Sequence, residues 1–118
     1  MPKPMWPMSL ASVLTLGVAC TTVQIPQATE IDVKRAALRR PRTTLADLER
    51  GRTLYLSRCT SCHRPIEPMG FRAQEWPGYV AEMQERARLG QDEAELVVLY
   101  LVTMAAQRSE QASEAGRR

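Results

Sequence analysis

The sequence predicts an all-α domain built from three main helices. Apolar residues recur every three or four positions in three separate stretches, clusters of proline and glycine divide those stretches, and no period-two alternation of the kind that marks a strand is visible. The chain has 118 residues, enough for one domain, and its 44% hydrophobic and 25% charged content is that of a folded protein. Aromatic residues make up only 5%, so the core is expected to be mostly aliphatic.

Ahead of the helices lies a leader. Lys3 precedes an uncharged run from Leu10 to Ala19, about half the ~20 apolar residues that a membrane-spanning helix requires, which predicts a secretory signal rather than a span. The run ends in Gly17-Val18-Ala19-Cys20, which resembles the lipobox of bacterial lipoproteins, with Gly17 where leucine is usual. That resemblance implies a signal peptide over 1–19, lipidation of Cys20 as the first mature residue, a membrane anchor at that position and a periplasmic location. Basic and acidic residues number 16 and 13, a near balance that argues against a nucleic-acid partner.

From 20 to 42 the chain is polar, punctuated by Pro26 and Pro41, and carries five basic residues between Lys34 and Arg42, so a tether is expected there. Such a basic cluster is suited either to solvent or to anionic lipid head groups. The folded unit is expected over 43–107, a size at which domains often need a staple, a metal or a cofactor. A polar tail over 108–118 is expected to fray.

Within the unit, Thr44 is an N-cap with Asp47 three residues on, and Leu45, Leu48, Tyr55, Leu56 and Cys59 recur at helical spacing, giving a first helix from 45 to about 58. Pro65, Pro68 and Gly70 forbid helix over Arg64 to Gln74, which is expected to be a loop that wraps something. Pro77 suits the start of a second helix reaching about Leu89, with Trp76, Val80, Met83 and Ala87 on one stripe and Gly90 as its C-cap. Asp92 and Glu95 open a third, whose segment Leu96 to Met104 is apolar almost all round and therefore needs neighbours on more than one side.

The chemically informative site is Cys59-Thr60-Ser61-Cys62-His63. Two thiols three residues apart, followed at once by histidine, lie on one side of a helical turn, where they can bond the vinyl groups of a haem while His63 reaches its iron. A bare Cys-x-x-Cys also suits a redox disulfide or half of a zinc site. A tetrahedral zinc, however, needs four ligands, and a thiol–disulfide exchanger needs its pair at a helix start after a strand, whereas this pair follows a helix. The single histidine excludes a bis-His haem and an HExxH metalloprotease.

The surroundings of the motif widen the match. Gly51 lies eight residues and Tyr55 four residues before Cys59, and with Leu96 to Leu101 they resemble the two packed terminal helices of class I cytochromes c. The stretch Glu75-Trp76-Pro77 with Val80, Met83, Ala87 and Leu89 resembles a group of small secreted monohaem cytochromes. The resemblance implies a small cytochrome c-like fold of three main helices around one covalently bound haem c, attached at Cys59 and Cys62 and ligated by His63. A methionine is the usual sixth ligand, and Met83, twenty residues after His63 on the Trp76–Val80 stripe, is preferred to Met69, which follows two prolines, and to Met104, which reads as core filler.

A histidine ligand normally donates its second N–H to a carbonyl, for which Pro68 is the candidate, and Arg58, Arg64 and Arg72 are candidates to pair with the haem propionates. The expected function is periplasmic one-electron transfer with unidentified redox protein partners, in a carrier and not an enzyme, because His63 and Met83 fill both axial positions of the iron. Two alternatives follow from the same residues: a five-coordinate haem sensor or peroxidase-like protein, and a lipoprotein interaction module whose Cys59–Cys62 disulfide needs no haem.

Overall fold

The computed structural model describes residues 1–3 and 22–118, so the expected lipidation site Cys20 and the apolar run before it lie outside the described residues. The described residues are helical and contain no strand. Four helices occur: α1 Glu30–Ala37, α2 Leu45–Leu54, α3 Trp76–Met83 and α4 Gln91–Ala115. None of them is long and apolar enough to cross a membrane.

Helix α2 begins as its cap predicts. The Thr44 hydroxyl accepts the Asp47 N–H at 3.1 Å while the Asp47 carboxylate accepts the Thr44 N–H at 2.9 Å. These hydrogen bonds hold the Asp47 carboxyl below the usual carboxylate range. Leu48, Gly51 and Leu54 are buried on one face, and the helix continues through a wider π-type turn over Tyr55–Cys59.

Helix α4 is the axis of the molecule. Ala94, Val97, Tyr100, Leu101, Met104 and Ala105 are buried along it, and Leu96, Val98 and Val102 are half-buried, so its all-round apolar character is met by α2 and α3 on separate sides. Its closest neighbour is α2, because Gly51 has no side chain to hold the two backbones apart. A Cβ built on Gly51 would fall inside the shell of the Leu96 carbonyl oxygen and 2.9 Å from the Tyr100 Cβ.

Three segments differ from the sequence expectation. The stretch 20–42 contains α1, and from Ile25 onward it is packed rather than free. Ile25 is buried, its carbonyl accepts from the Arg52 guanidinium at 2.9 Å, and the Pro26 carbonyl accepts the Tyr100 hydroxyl at 2.5 Å. Helix α1 then docks on α4 through a polar cluster: Arg35 grips Glu110 with two bonds of 2.7 Å and also pairs with Asp32, which accepts from Thr29 and from Gln107. The expected polar tail 108–118 is helical as far as Ala115, and Glu110 within it is one partner of that cluster.

The second helix is shorter than expected, and Gly90 is not its cap. Arg88 takes the left-handed conformation, with φ of 53°, while its N–H bonds the Glu85 carbonyl and the Leu89 N–H bonds the Gln84 carbonyl. Gly90 instead precedes α4, where its N–H donates to the Glu93 carboxylate at 3.1 Å. Sequence spacing alone favours glycine for the left-handed position, and here a non-glycine residue occupies it.

Candidate functional site

The last turn of α2 and the segment after it present the Cys-x-x-Cys-His residues. Cys59 closes the π-type turn with its side chain buried against the core, and burial pushes its thiol pKa up. Cys62 and His63, on the following bend, are exposed, and both cysteines are free thiols. The His63 ring donates from Nδ1 to the Arg64 carbonyl at 2.7 Å. Because a carbonyl only accepts, this bond places the proton on Nδ1 and leaves the Nε2 lone pair available to a metal.

Tyr55 fixes how the segment returns. Its buried hydroxyl accepts the Ile66 N–H at 2.9 Å and donates to the Ile66 carbonyl at 2.7 Å, tying the loop to α2. Below it the Trp76 indole N–H donates to the Pro68 carbonyl at 2.8 Å, so the carbonyl expected to serve His63 is engaged elsewhere and Arg64 serves instead. Phe71, which the sequence reading left without a role, clips the loop onto α3 through rings centred 5.3 Å from Trp76 and 4.6 Å from Tyr79.

Helix α3 supplies the facing wall. Arg58, Cys59, Cys62 and His63 from one side and Met83, Arg86 and Ala87 from the other line a cavity of about 60 Å³. Of the three methionines considered, only Met83 lines it. Met69 sits in a 3₁₀ turn whose carbonyl receives Arg108, and Met104 is buried in the core beside Gln107. Beside the cavity lies a surface hollow of about 400 Å³ lined by Ser57, Arg58, Ser61, Arg86, Ala87 and Arg88, with the Arg58 guanidinium bonded to the Arg88 carbonyl at 3.0 Å.

Of the arginines named from the sequence, Arg58 reaches this region, Arg72 pairs with Glu75 at 3.3 Å, and Arg64 is exposed. Arg86 belongs to the site and was missed, because it lies in the turn after α3 and not on the helical stripe that ends at Met83. No three His, Cys, Asp or Glu side chains converge as for a metal ion among the described residues. A haem iron held by one imidazole and one thioether does not call for such a cluster.

The residues suit a haem in donor chemistry: two reduced thiols and an imidazole with a free Nε2 on one wall, a thioether on the other, and arginines at the rim for carboxylates. Space is the limiting factor. Ligand pockets commonly measure ~300–1,000 Å³. A haem would therefore need this 60 Å³ cavity to widen, and the exposed Ser61–Arg64 segment beside it carries no backbone hydrogen bond to another element.

Comparisons with protein-family models, with curated proteins and with solved structures find no match to this chain. The reading of the site therefore rests on its residues and their placement.

Proposed function

We propose that the protein is an exported monohaem c-type cytochrome that carries single electrons between redox protein partners in the periplasm, anchored through a lipid on Cys20. One observation carries the reading: Cys59, Cys62 and His63 from the end of α2 share one cavity with Met83 of α3, the methionine chosen from sequence spacing. The glycine-permitted crossing of α2 and α4 supports the same cytochrome c-like arrangement.

In this reading Cys59 and Cys62 would hold the porphyrin through thioether bonds to its two vinyl groups, each S–H adding across one double bond, which consumes no oxidant and requires both thiols to be reduced. The raised thiol pKa of buried Cys59 slows its loss to a disulfide, because the thiolate is the reactive form. His63 Nε2 and Met83 Sδ would be the protein's two donors to the iron, while the Arg64 carbonyl holds the imidazole proton on Nδ1. Arg58 and Arg86 neutralise the propionates at the rim. When bound, the haem supplies a reversible one-electron couple, which methionine ligation sets higher than a more basic ligand would. With both His63 and Met83 as donors no coordination site would be left for substrate, which supports a carrier role.

The test is expression in a host with haem-attachment machinery. Covalent haem should persist on a denaturing gel, with an intact mass increased by one haem and by the acyl groups on Cys20. The ferric protein should show the thioether-to-iron charge-transfer band, lost in Met83→Ala and kept in Met69→Ala. Exported, colourless protein of unmodified mass overturns the haem reading. Haem with no such band in the wild type points to the five-coordinate sensor or peroxidase-like alternative.

A further inference from the structure

Helix α1 buries Asp32 and Ala36 against the body of the protein and turns a different face outward. Ile31 and Leu38, seven residues apart and so on one side of the helix, are 67% and 87% exposed, with Lys34 between them on the same stripe. Val23, just ahead of α1, is also exposed. Arg39, Arg40 and Arg42 follow the helix and are exposed; Arg39 and Arg40 stand at the edge of this face, where with Ala36 and Glu95 they also line a groove of about 460 Å³, and like Lys34 the three make no ion pair among the described residues. Acidic groups nearby are few: Asp32 and Glu110 are taken by Arg35, Asp47 lies near Arg40, and Glu30 stands at the start of the helix.

We propose that this face of α1 docks on an anionic lipid bilayer, with Ile31 and Leu38 inserted at the head-group boundary and Lys34, Arg39 and Arg42 on the lipid phosphates. An exposed apolar stripe edged by unpaired cations matches an interface of that composition and leaves both kinds of side chain unsatisfied in water. Chain geometry agrees. The chain is pinned at Ile25, so only residues 21–24 separate Cys20 from the packed body, at most ~18 Å when extended, and a lipid on Cys20 keeps this end of the molecule close to the membrane plane. The α1 region bonds to Glu49 and Arg52 of α2, whereas Cys59 lies at the far end of that helix, about 15 Å further along. A protein docked this way keeps the Cys59–His63 edge away from the bilayer.

This inference rests on the α1 surface and neither requires nor tests haem attachment. The experiment is sedimentation of the full chain carrying Cys20→Ser, which removes the acylation site, with phosphatidylcholine vesicles containing or lacking phosphatidylglycerol. Each basic residue near an anionic surface strengthens binding roughly fivefold, so partitioning onto the anionic vesicles should exceed that onto neutral ones by roughly 100-fold at low salt. The triple variant Lys34→Gln, Arg39→Gln, Arg42→Gln should bring that ratio within a few-fold of unity. Ile31→Ser with Leu38→Ser should weaken binding to the anionic vesicles by about tenfold with an unchanged melting temperature, since both side chains are solvated in the free protein. The leader and Lys3 are common to all variants and cancel. Indifference of the parent chain to phosphatidylglycerol, or a ratio unchanged by the triple variant, overturns the proposal and leaves an acidic protein surface as the claimant of this face. No weakening in the Ile31, Leu38 variant overturns the insertion.

Discussion

Helix α4 is held at two places by opposite chemistry. Against α2 the contact is apolar and backbone-close, with Gly51 seated on Leu96 and Tyr100. Against α1 it is a network of ions and amides in which Asp32, its side chain only 4% exposed, is shared by Thr29, Arg35 and Gln107. The first contact is intolerant of volume and indifferent to pH. The second tolerates volume but fails when one partner loses its charge. Substitutions can separate the two.

The largest expected effect is at the crossing. Gly51→Ala places a methyl group where the Leu96 carbonyl already sits, and because that obstacle is backbone the helices must separate, at a cost of about 3 kcal/mol, the upper end for an overpacked core. Urea titration of the variant should show the loss undiminished between neutral and mildly acidic pH. A cost below ~1 kcal/mol would mean that α2 and α4 do not lie this close.

The clamp should yield next. Asp32→Ala strands Gln107 and the Thr29 donors, yet Arg35 keeps Glu110, so the expected cost is about 2 kcal/mol, less than the ~3–5 kcal/mol for a buried charge left with no partner. Burial pushes the Asp32 pKa up, but hydrogen bonds from Thr29 and Gln107 and the charge of Arg35 outweigh it and hold the carboxyl below its ordinary value of 3.8. A depressed folded pKa contributes stability that is fully present above the unfolded value and disappears as pH falls through the folded one. The gap in stability between wild type and Asp32→Asn should therefore be constant near neutrality and narrow below pH 3.8. A gap that persists in acid would remove the charge from the account of this contact.

The contrast also explains what the sequence discloses. The crossing was legible because a glycine inside a run of Leu48, Leu54 and Tyr55 has few reasons to exist other than close approach. Helix α1 was not. Its segment has the composition of a linker, and what orders it is a set of partners far away in the chain, Gln107 and Glu110 among them, in a region that itself read as a polar tail. At the candidate site, the Cys59–His63 motif and Met83 could be named from spacing along a short stretch of chain, and the structure sets them around one cavity. Arg86 and the Arg64 carbonyl escaped, since rim charges and backbone acceptors carry no pattern of their own.

Smaller than either contact, and part apolar and part polar in character, is the tie from Tyr55 to the loop. Tyr55→Phe keeps the ring against Trp76 but removes both bonds to the partly exposed backbone of Ile66, at a cost of about 1 kcal/mol. Hydrogen exchange should accelerate at the Ile66 amide while the α2–α4 amides remain protected. Uniform acceleration would mean that the loop and the crossing open together.

The smallest effect is a gain. Arg88, at the end of the turn that follows α3, takes the left-handed conformation, which costs a residue with a Cβ roughly 1–2 kcal/mol and costs glycine little. The loss of flexibility that glycine suffers on folding offsets part of that difference, so Arg88→Gly should raise stability by about 0.5–1 kcal/mol. The carbonyl that accepts Arg58 belongs to the backbone and survives the change. Arg88→Ala removes the same side chain without relieving the strain, so a higher melting temperature for the glycine variant than for the alanine variant isolates the backbone contribution. Equal melting temperatures would show that the turn after α3 is not held in the left-handed region, and with it would go the placement of the Arg88 carbonyl over the hollow beside Met83.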